Sequence, residues 1–299
     1  MNSGGKGKPY TIMLRWQRTQ GSSFLGLPDV YSDEFAKSVD ESANTQCTPG
    51  KNDPLILGYF VGNEPAWDTR ESEVVDMILA GPATATQTKL KEFLAQGDSP
   101  KRRKEFIIGA FEKYLDLIIT AVKKYDPNHL TLGIRFIGRT SDETLRTGRV
   151  FDVCSMNIYE YEPSMQLDNF YRLTGRPILM GEFHMGAPGN GLSAGLVQVK
   201  DQVERGVAYR YYVEQSAALD CFLGAHWFQW RDQSPLGRND GENYNIGFVD
   251  INDRPYKELV EAAKATHKRL LDVHSGKIPP ISQRPKASDA GGPSLIRKY

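Results

Sequence analysis

LILGYFVGNEPAW, residues 55–67, is the stretch whose reading decides the fold. Six of its first seven residues are apolar, β-branched and aromatic ones among them, so a strand buried on both faces is expected. A half-exposed strand would alternate instead. Gly62 permits a tight turn and Pro65 stops the strand. The carboxylate of Glu64 is thereby delivered to the carboxyl end of a buried parallel strand, where α/β barrels place their chemistry. A loop acid capping the next helix would leave the same local pattern. This stretch alone does not separate the two.

A second copy of the arrangement does more. In ILMGEFHMGA, residues 178–187, Glu182 follows Gly181 at the end of another apolar run. Around these two, strands are expected over 10–16, 129–136, 151–159, 177–182 and 222–230. Helices are expected over 31–43, over 70–125 in two blocks separated near Gly97 and Pro100, briefly over 142–147, and over 164–172, 198–218 and 257–271. About six βα units at these spacings suit a parallel sheet with right-handed crossovers. No G-x-G-x-x-G and no P-loop follows any strand, so a (β/α)₈ TIM-type barrel fits better than a doubly wound sheet. Six strands are found where such a barrel has eight.

Composition narrows the partners. The chain has 299 residues, and 37 Lys plus Arg balance 37 Asp plus Glu. That neutrality argues against a nucleic-acid binder. No run reaches the length of a membrane span, and MNSGGKGKPY at the start has no apolar signal core. Cys47, Cys154 and Cys221 are too few and too scattered for a disulfide framework or zinc cluster, and buried free thiols are expected. No His/Cys/Asp spacing assembles a metal site, and no metal or organic cofactor is expected. Residues 1–8 and 276–299, rich in Gly, Ser, Lys and Pro, are expected to be disordered around a barrel domain over 9–275.

Glu64 closes one strand and Glu182 the third after it. In an eight-stranded barrel, strands three apart lie almost opposite across the mouth. Two carboxylates so placed can flank one sugar ring. A retaining glycosidase needs them about 5–5.5 Å apart, one acting as acid and one as nucleophile.

These residues resemble the clan of retaining (β/α)₈ glycoside hydrolases, in which Asn-Glu and a lone Glu close the fourth and seventh strands. Within it, GYFVGNEPAW, PILMGEFHMGA and GAHWFQWRDQ…GRNDGENYNIGFVD are similar to glycoside hydrolase family 50, the β-agarases. The resemblance runs from about Pro28 to Leu271. It implies Glu64 as general acid/base and Glu182 as nucleophile, acting on β-galactosidic linkages of an agarose-type galactan by double displacement. It also implies that the barrel's first two βα units are absent from this sequence. A polymeric substrate makes a secreted or periplasmic location the expectation.

Supporting residues follow from position. Asn63 could bond a sugar 2-hydroxyl, as the resemblance implies, and Trp67 could line a subsite. Tyr159 could donate its hydroxyl to Glu182, favouring the charged form, and Asn157 points the same way. Arg135 is a charge inside an apolar strand, expected to meet a carboxylate at the barrel mouth or to form an internal ion pair. His184 is either a polar substrate contact or a satisfied loop histidine. Trp227 and Trp230, three apart, should face opposite sides of a strand. Only one would be a sugar platform, and the resemblance favours Trp227. Two other readings stay open: a β-galactosidase-like exo-enzyme, and a non-catalytic carbohydrate-binding remnant.

Overall fold

Buried apolar runs become parallel strands, and amphipathic helices follow most of them. A computed structural model describes residues 7–16 and 23–288, so most of the expected disordered ends (1–6 and 289–299) lies outside the described residues. The chain divides into two compact units. The first runs up to Ser155 and includes Leu173–Arg176; the second comprises Met156–Arg172 and the chain from Pro177 onward.

In the first unit β1 (Tyr10–Met13) is followed by a hairpin of β2 (Ser23–Phe24) and β3 (Leu27–Pro28), then by β4 (Ile56–Phe60). β4 pairs in parallel with β1, Met13 opposite Phe60, and with β5 (Leu130–Thr131), Tyr59 opposite Thr131. Gly58 makes the second pairing possible: a Cβ there would stand 2.2 Å from the Leu130 carbonyl oxygen. The strand expected over 129–136 is broken. After β5 the chain kinks through Gly133 (φ 87) and Arg135 (φ 50), and resumes as β6 (Phe136–Ile137). Hydrogen bonds explain the break. The Gly133 carbonyl accepts from Val61 N–H at 2.9 Å, and Arg135 N–H is taken by the Ser155 hydroxyl at 3.0 Å.

The helices of this unit start where capping residues stand. α1 (Asp33–Cys47) begins at Ser32, whose hydroxyl accepts Phe35 N–H, with Asp33 and Glu34 in the first turn. The first expected block divides at Gly81 into α2 (Glu71–Ala80) and α3 (Ala85–Leu94). α4 (Pro100–Tyr125) has Ser99 as cap and proline at its start, and buries Phe106, Ile107, Ala110, Phe111, Ile118 and Val122. α5 (Asp142–Arg146) is short. β7 (Cys154–Asn157) contains the boundary between the units. All three cysteines are free and buried.

The second unit contains α6 (Ser164–Thr174, apart from its last two residues), β8 (Ile178–Phe183), α7 (Gln202–Ala217), β9 (Phe222–Trp227) and α8 (Lys257–His274). β8 and β9 are parallel, with Phe183 opposite Trp227. α7 starts later than expected because Asp201 caps it, accepting Glu204 N–H at 2.9 Å, while Val199 bridges to Ala287. β9 also stops short of Trp230. Phe228 N–H still reaches the Phe183 carbonyl at 2.9 Å, but the Trp230 carbonyl has turned to accept from Phe248 N–H at 2.8 Å.

Of the segment from residue 276, the part up to Ser288 is described. Glu214 accepts Ile281 N–H at 3.2 Å and Glu204 accepts Lys286 N–H at 2.8 Å, so two α7 carboxylates hold this Pro-rich segment by its main chain.

Candidate active site

The first group of residues follows β4. Glu64 stands at φ 46, and its N–H donates to the Arg135 carbonyl at 3.3 Å. Two strand-end residues in left-handed conformation are thus tied to one another. Such conformations are costly for residues other than glycine and concentrate at functional sites. Asn63 is exposed and Glu64 partly buried. Both line a cavity of about 190 Å³ with Trp67, Phe111, Tyr114 and Ile134.

Beyond Glu64 the loop is clamped by Asp68, which sequence reasoning missed. Its carboxylate accepts from Ser141 N–H at 2.9 Å, the Ser141 hydroxyl at 2.7 Å and the Thr144 hydroxyl at 2.6 Å. Trp67 is corrected. It is 1% exposed and meets Phe111 edge-on at 4.8 Å, so it is a core residue whose one side borders the cavity. The Arg135 guanidinium lies 5.6 Å from the Phe60 ring centroid.

The second group follows β7 and β8. Tyr159 donates its hydroxyl to Glu182 Oε2 at 2.6 Å, the contact expected from the strand ends. Ile158 N–H donates to the Glu182 carbonyl at 3.1 Å, which locks the two strand ends in register. Asn157, at the end of β7, is buried. Glu182 is partly buried.

Of the two readings of His184, its surroundings are those of a satisfied histidine. It is 1% exposed, its Nδ1 lies 3.1 Å from the Phe228 carbonyl, and its Nε2 accepts Leu196 N–H at 3.0 Å. Both ring nitrogens are occupied, which fixes the Nδ1–H tautomer. Gly195 lies so close that a Cβ would stand 2.8 Å from Nε2. Burial drives the His184 pKa down to about 3, with the Arg205 charge adding to the effect and the Phe228 carbonyl opposing it.

Trp227 donates its indole N–H to the Ile246 carbonyl at 2.8 Å and is flanked by Phe183, Tyr209 and Phe248 at 5.1, 5.6 and 5.4 Å. It remains partly exposed. The expectation that Trp227 and Trp230 face opposite sides does not hold, since both rings pack on Phe248. Trp230 lies beyond the end of β9, where strand alternation no longer applies.

Beneath these residues is a buried polar network that includes Arg205 and Asp232. Arg205, 0% exposed, donates to the carbonyls of Met185 and Gly247 and to Gln202. Asp232 accepts from Gly247 N–H, Asn245 and Tyr256. Burial lowers the Arg205 pKa to about 10 against the stabilising charge of Asp232, and raises that of Tyr256 to about 12. The network fixes the loop after β9 to the start of α7. Arg205 gives no sequence signal, because its α7 neighbours are themselves a mixture of charged and apolar residues.

Among the described residues no group of three or more His, Cys, Asp or Glu is placed to hold a metal ion, and no helix is long and apolar enough to cross a membrane.

Comparison with known proteins gives this arrangement its class. No protein-family model matches the chain. β-Agarase B of Vibrio sp. (strain JT0107) is 32% identical over 292 residues, covering 82% of this chain and 30% of its own length. The crystal structure of an agarase, AgWH50C, superposes with a TM-score of 0.78 at 29% identity, covering 89% of this chain and 44% of that one. The structure of PfGH50B gives 0.79 at 26% identity, covering 89% and 46%. The chain thus spans about a third of the curated relative and under half of each solved structure. These likenesses are to agarases, over part of their length. The chain is agarase-like, of the glycoside hydrolase family 50 kind, as its strand-end motifs predict.

Proposed function

We propose that the chain is the barrel portion of a retaining glycoside hydrolase that cleaves β-galactosidic bonds in agarose-type galactan. Glu182 is the nucleophile and Glu64 the general acid/base. Glu64 protonates the leaving oxygen while a Glu182 carboxylate oxygen attacks the anomeric carbon, giving a glycosyl-enzyme. Glu64 then takes a proton from water, whose oxygen displaces Glu182 with a second inversion and so net retention. The observation that supports this most is the Tyr159 hydroxyl on Glu182, a short bond that holds the carboxylate from the neighbouring strand end. Asn63 and Asn157 are the proposed hydroxyl contacts, and Arg135 contributes positive charge beside the Glu64 loop. Trp227 offers its open part to the sugar. A gel-forming polymer does not cross a membrane, so the proposed site of action is outside the cytoplasm.

Reducing-sugar release from agarose by the chain, beside Glu64→Gln and Glu182→Gln, tests the reading. Activity lost in both variants and a β-configured first product by NMR are expected. A folded wild type that releases no sugar, or an α-configured first product, overturns it.

A further inference from the structure

Of the four tryptophans in the sequence, Trp230 alone is exposed, at 68%. A single exposed apolar residue is ordinary; one built as firmly as this is not. Its carbonyl accepts two amide protons, from Phe248 at 2.8 Å and Val249 at 3.2 Å. Its ring lies nearly parallel to Phe248, with centroids 6.0 Å apart at 18°. Phe248 is in turn wedged edge-on against Trp227 and Tyr209 at 5.4 and 5.9 Å. One face of the indole is therefore backed by aromatic core, while the exposure places much of the rest in solvent. Next to it Arg231 is held by Asp253 through three bonds of 2.9, 2.6 and 2.7 Å.

The plate stands close to the nucleophile. Phe228 N–H is bonded to the carbonyl of Phe183, the residue after Glu182. Phe228 and Trp230 are two positions apart in the chain, a reach of at most about 7 Å. A fixed aromatic face rimmed by hydrogen-bonding groups has the chemistry that receives the C–H face of a hexopyranose and its hydroxyls.

We propose that Trp230 is a sugar-stacking platform, a separate subsite for a neutral galactosyl unit of the same polysaccharide, at least one unit removed from the bond broken at Glu182. It rests on the galactan-hydrolase reading. The immobilised ring loses little freedom on binding, so the contact adds affinity for long chains and none for the shortest ones.

The test measures binding without turnover, in the Glu182→Gln chain, of an agarose-derived hexasaccharide and disaccharide by calorimetry. Adding Trp230→Ala should weaken hexasaccharide binding about tenfold, the scale of one stacked aromatic contact, and leave disaccharide binding unchanged. Trp230→Phe should restore most of the loss. Unchanged hexasaccharide binding with unaltered thermal unfolding overturns the platform while leaving the glutamate reading intact. If neither sugar binds any form of the chain, both readings fall. A change in sedimentation but not in sugar binding on Trp230→Ala would assign the ring to a protein contact, and also overturns the proposal.

Discussion

The phenolic hydroxyl of Tyr159 stands 2.6 Å from Oε2 of Glu182, and the peptide N–H just before it, that of Ile158, donates to the same glutamate's main-chain carbonyl at 3.1 Å. One glutamate is thus held by backbone and side chain from the neighbouring strand end, so its carboxylate has little freedom to swing. Tyr159→Phe removes one charge-assisted bond and leaves the ring. A fall in kcat of about 10- to 100-fold with KM within about twofold is expected, from the roughly 1.5–3 kcal/mol of such a bond. Steady-state kinetics on an agarose-derived oligosaccharide checks it. An equal rise in KM at constant kcat would show that Tyr159 binds sugar and does not position the carboxylate.

His184 gives the chain a pH dependence of known sign. Its folded pKa, about 3, lies below the ordinary 6.5, so between those values the unfolded chain binds the extra proton. This contribution to stability is complete above pH 6.5 and is lost as pH falls toward 3, by up to about 1.4 kcal/mol per pH unit. Asp126 acts in the same direction lower down. Burial opposes its charge, but bonds from Tyr59 and His129 prevail and lower its pKa. Urea unfolding at pH 7, 5.5 and 4.5 should show His184→Gln less stable at pH 7 but with a flatter slope below 6.5. Parallel slopes for the two proteins would contradict the buried neutral ring.

How legible these residues were depends on the range of their contacts. Tyr159 and Glu182 were readable because each ends a strand and neighbouring parallel strands bring their ends together. His184 was not, since it is satisfied by Phe228 and by Leu196, whose approach depends on loop geometry that no periodicity encodes. The main-chain bonds of the 277–288 segment were not legible for a related reason. Its Pro- and Ser-rich composition signals disorder, while those bonds go to Glu204 and Glu214 on a helix far away in sequence. Arg135 was placed in a strand by its apolar neighbours, and a serine hydroxyl twenty residues on took the amide that the strand needed.

Arg205 illustrates a buried charge supported by neutral acceptors. Arg205→Met leaves the carbonyls of Met185 and Gly247 without their donor and Asp232 without its countercharge. A loss of about 3–5 kcal/mol is expected in chemical denaturation. Asp232→Asn in the same chain should return part of it, because the uncompensated charge is then removed. Strict additivity of the two losses would show that the groups do not couple.

The two tryptophans after Phe222 separate by their surroundings. Trp227→Ala removes a ring enclosed by Phe183, Tyr209 and Phe248 and should cost about 3 kcal/mol. Trp230→Ala removes a solvent-facing ring and should change stability by no more than about 0.5 kcal/mol. Thermal unfolding of the pair checks the contrast, and similar losses in both would refute it.

Glu64 and Arg135 carry φ values of 46 and 50, and the amide of one is bonded to the carbonyl of the other. Glycine occupies that region without hindrance, so at either position it would relieve roughly 1 kcal/mol of backbone strain. Glu64→Gly is accordingly expected to release no sugar while its stability in thermal unfolding stays within about 1 kcal/mol of the wild type, and a loss several times larger would mark a structural glutamate. Stripped of these two side chains the loop would close more easily. Their presence marks the place where ease of folding yields to the demand for a reagent.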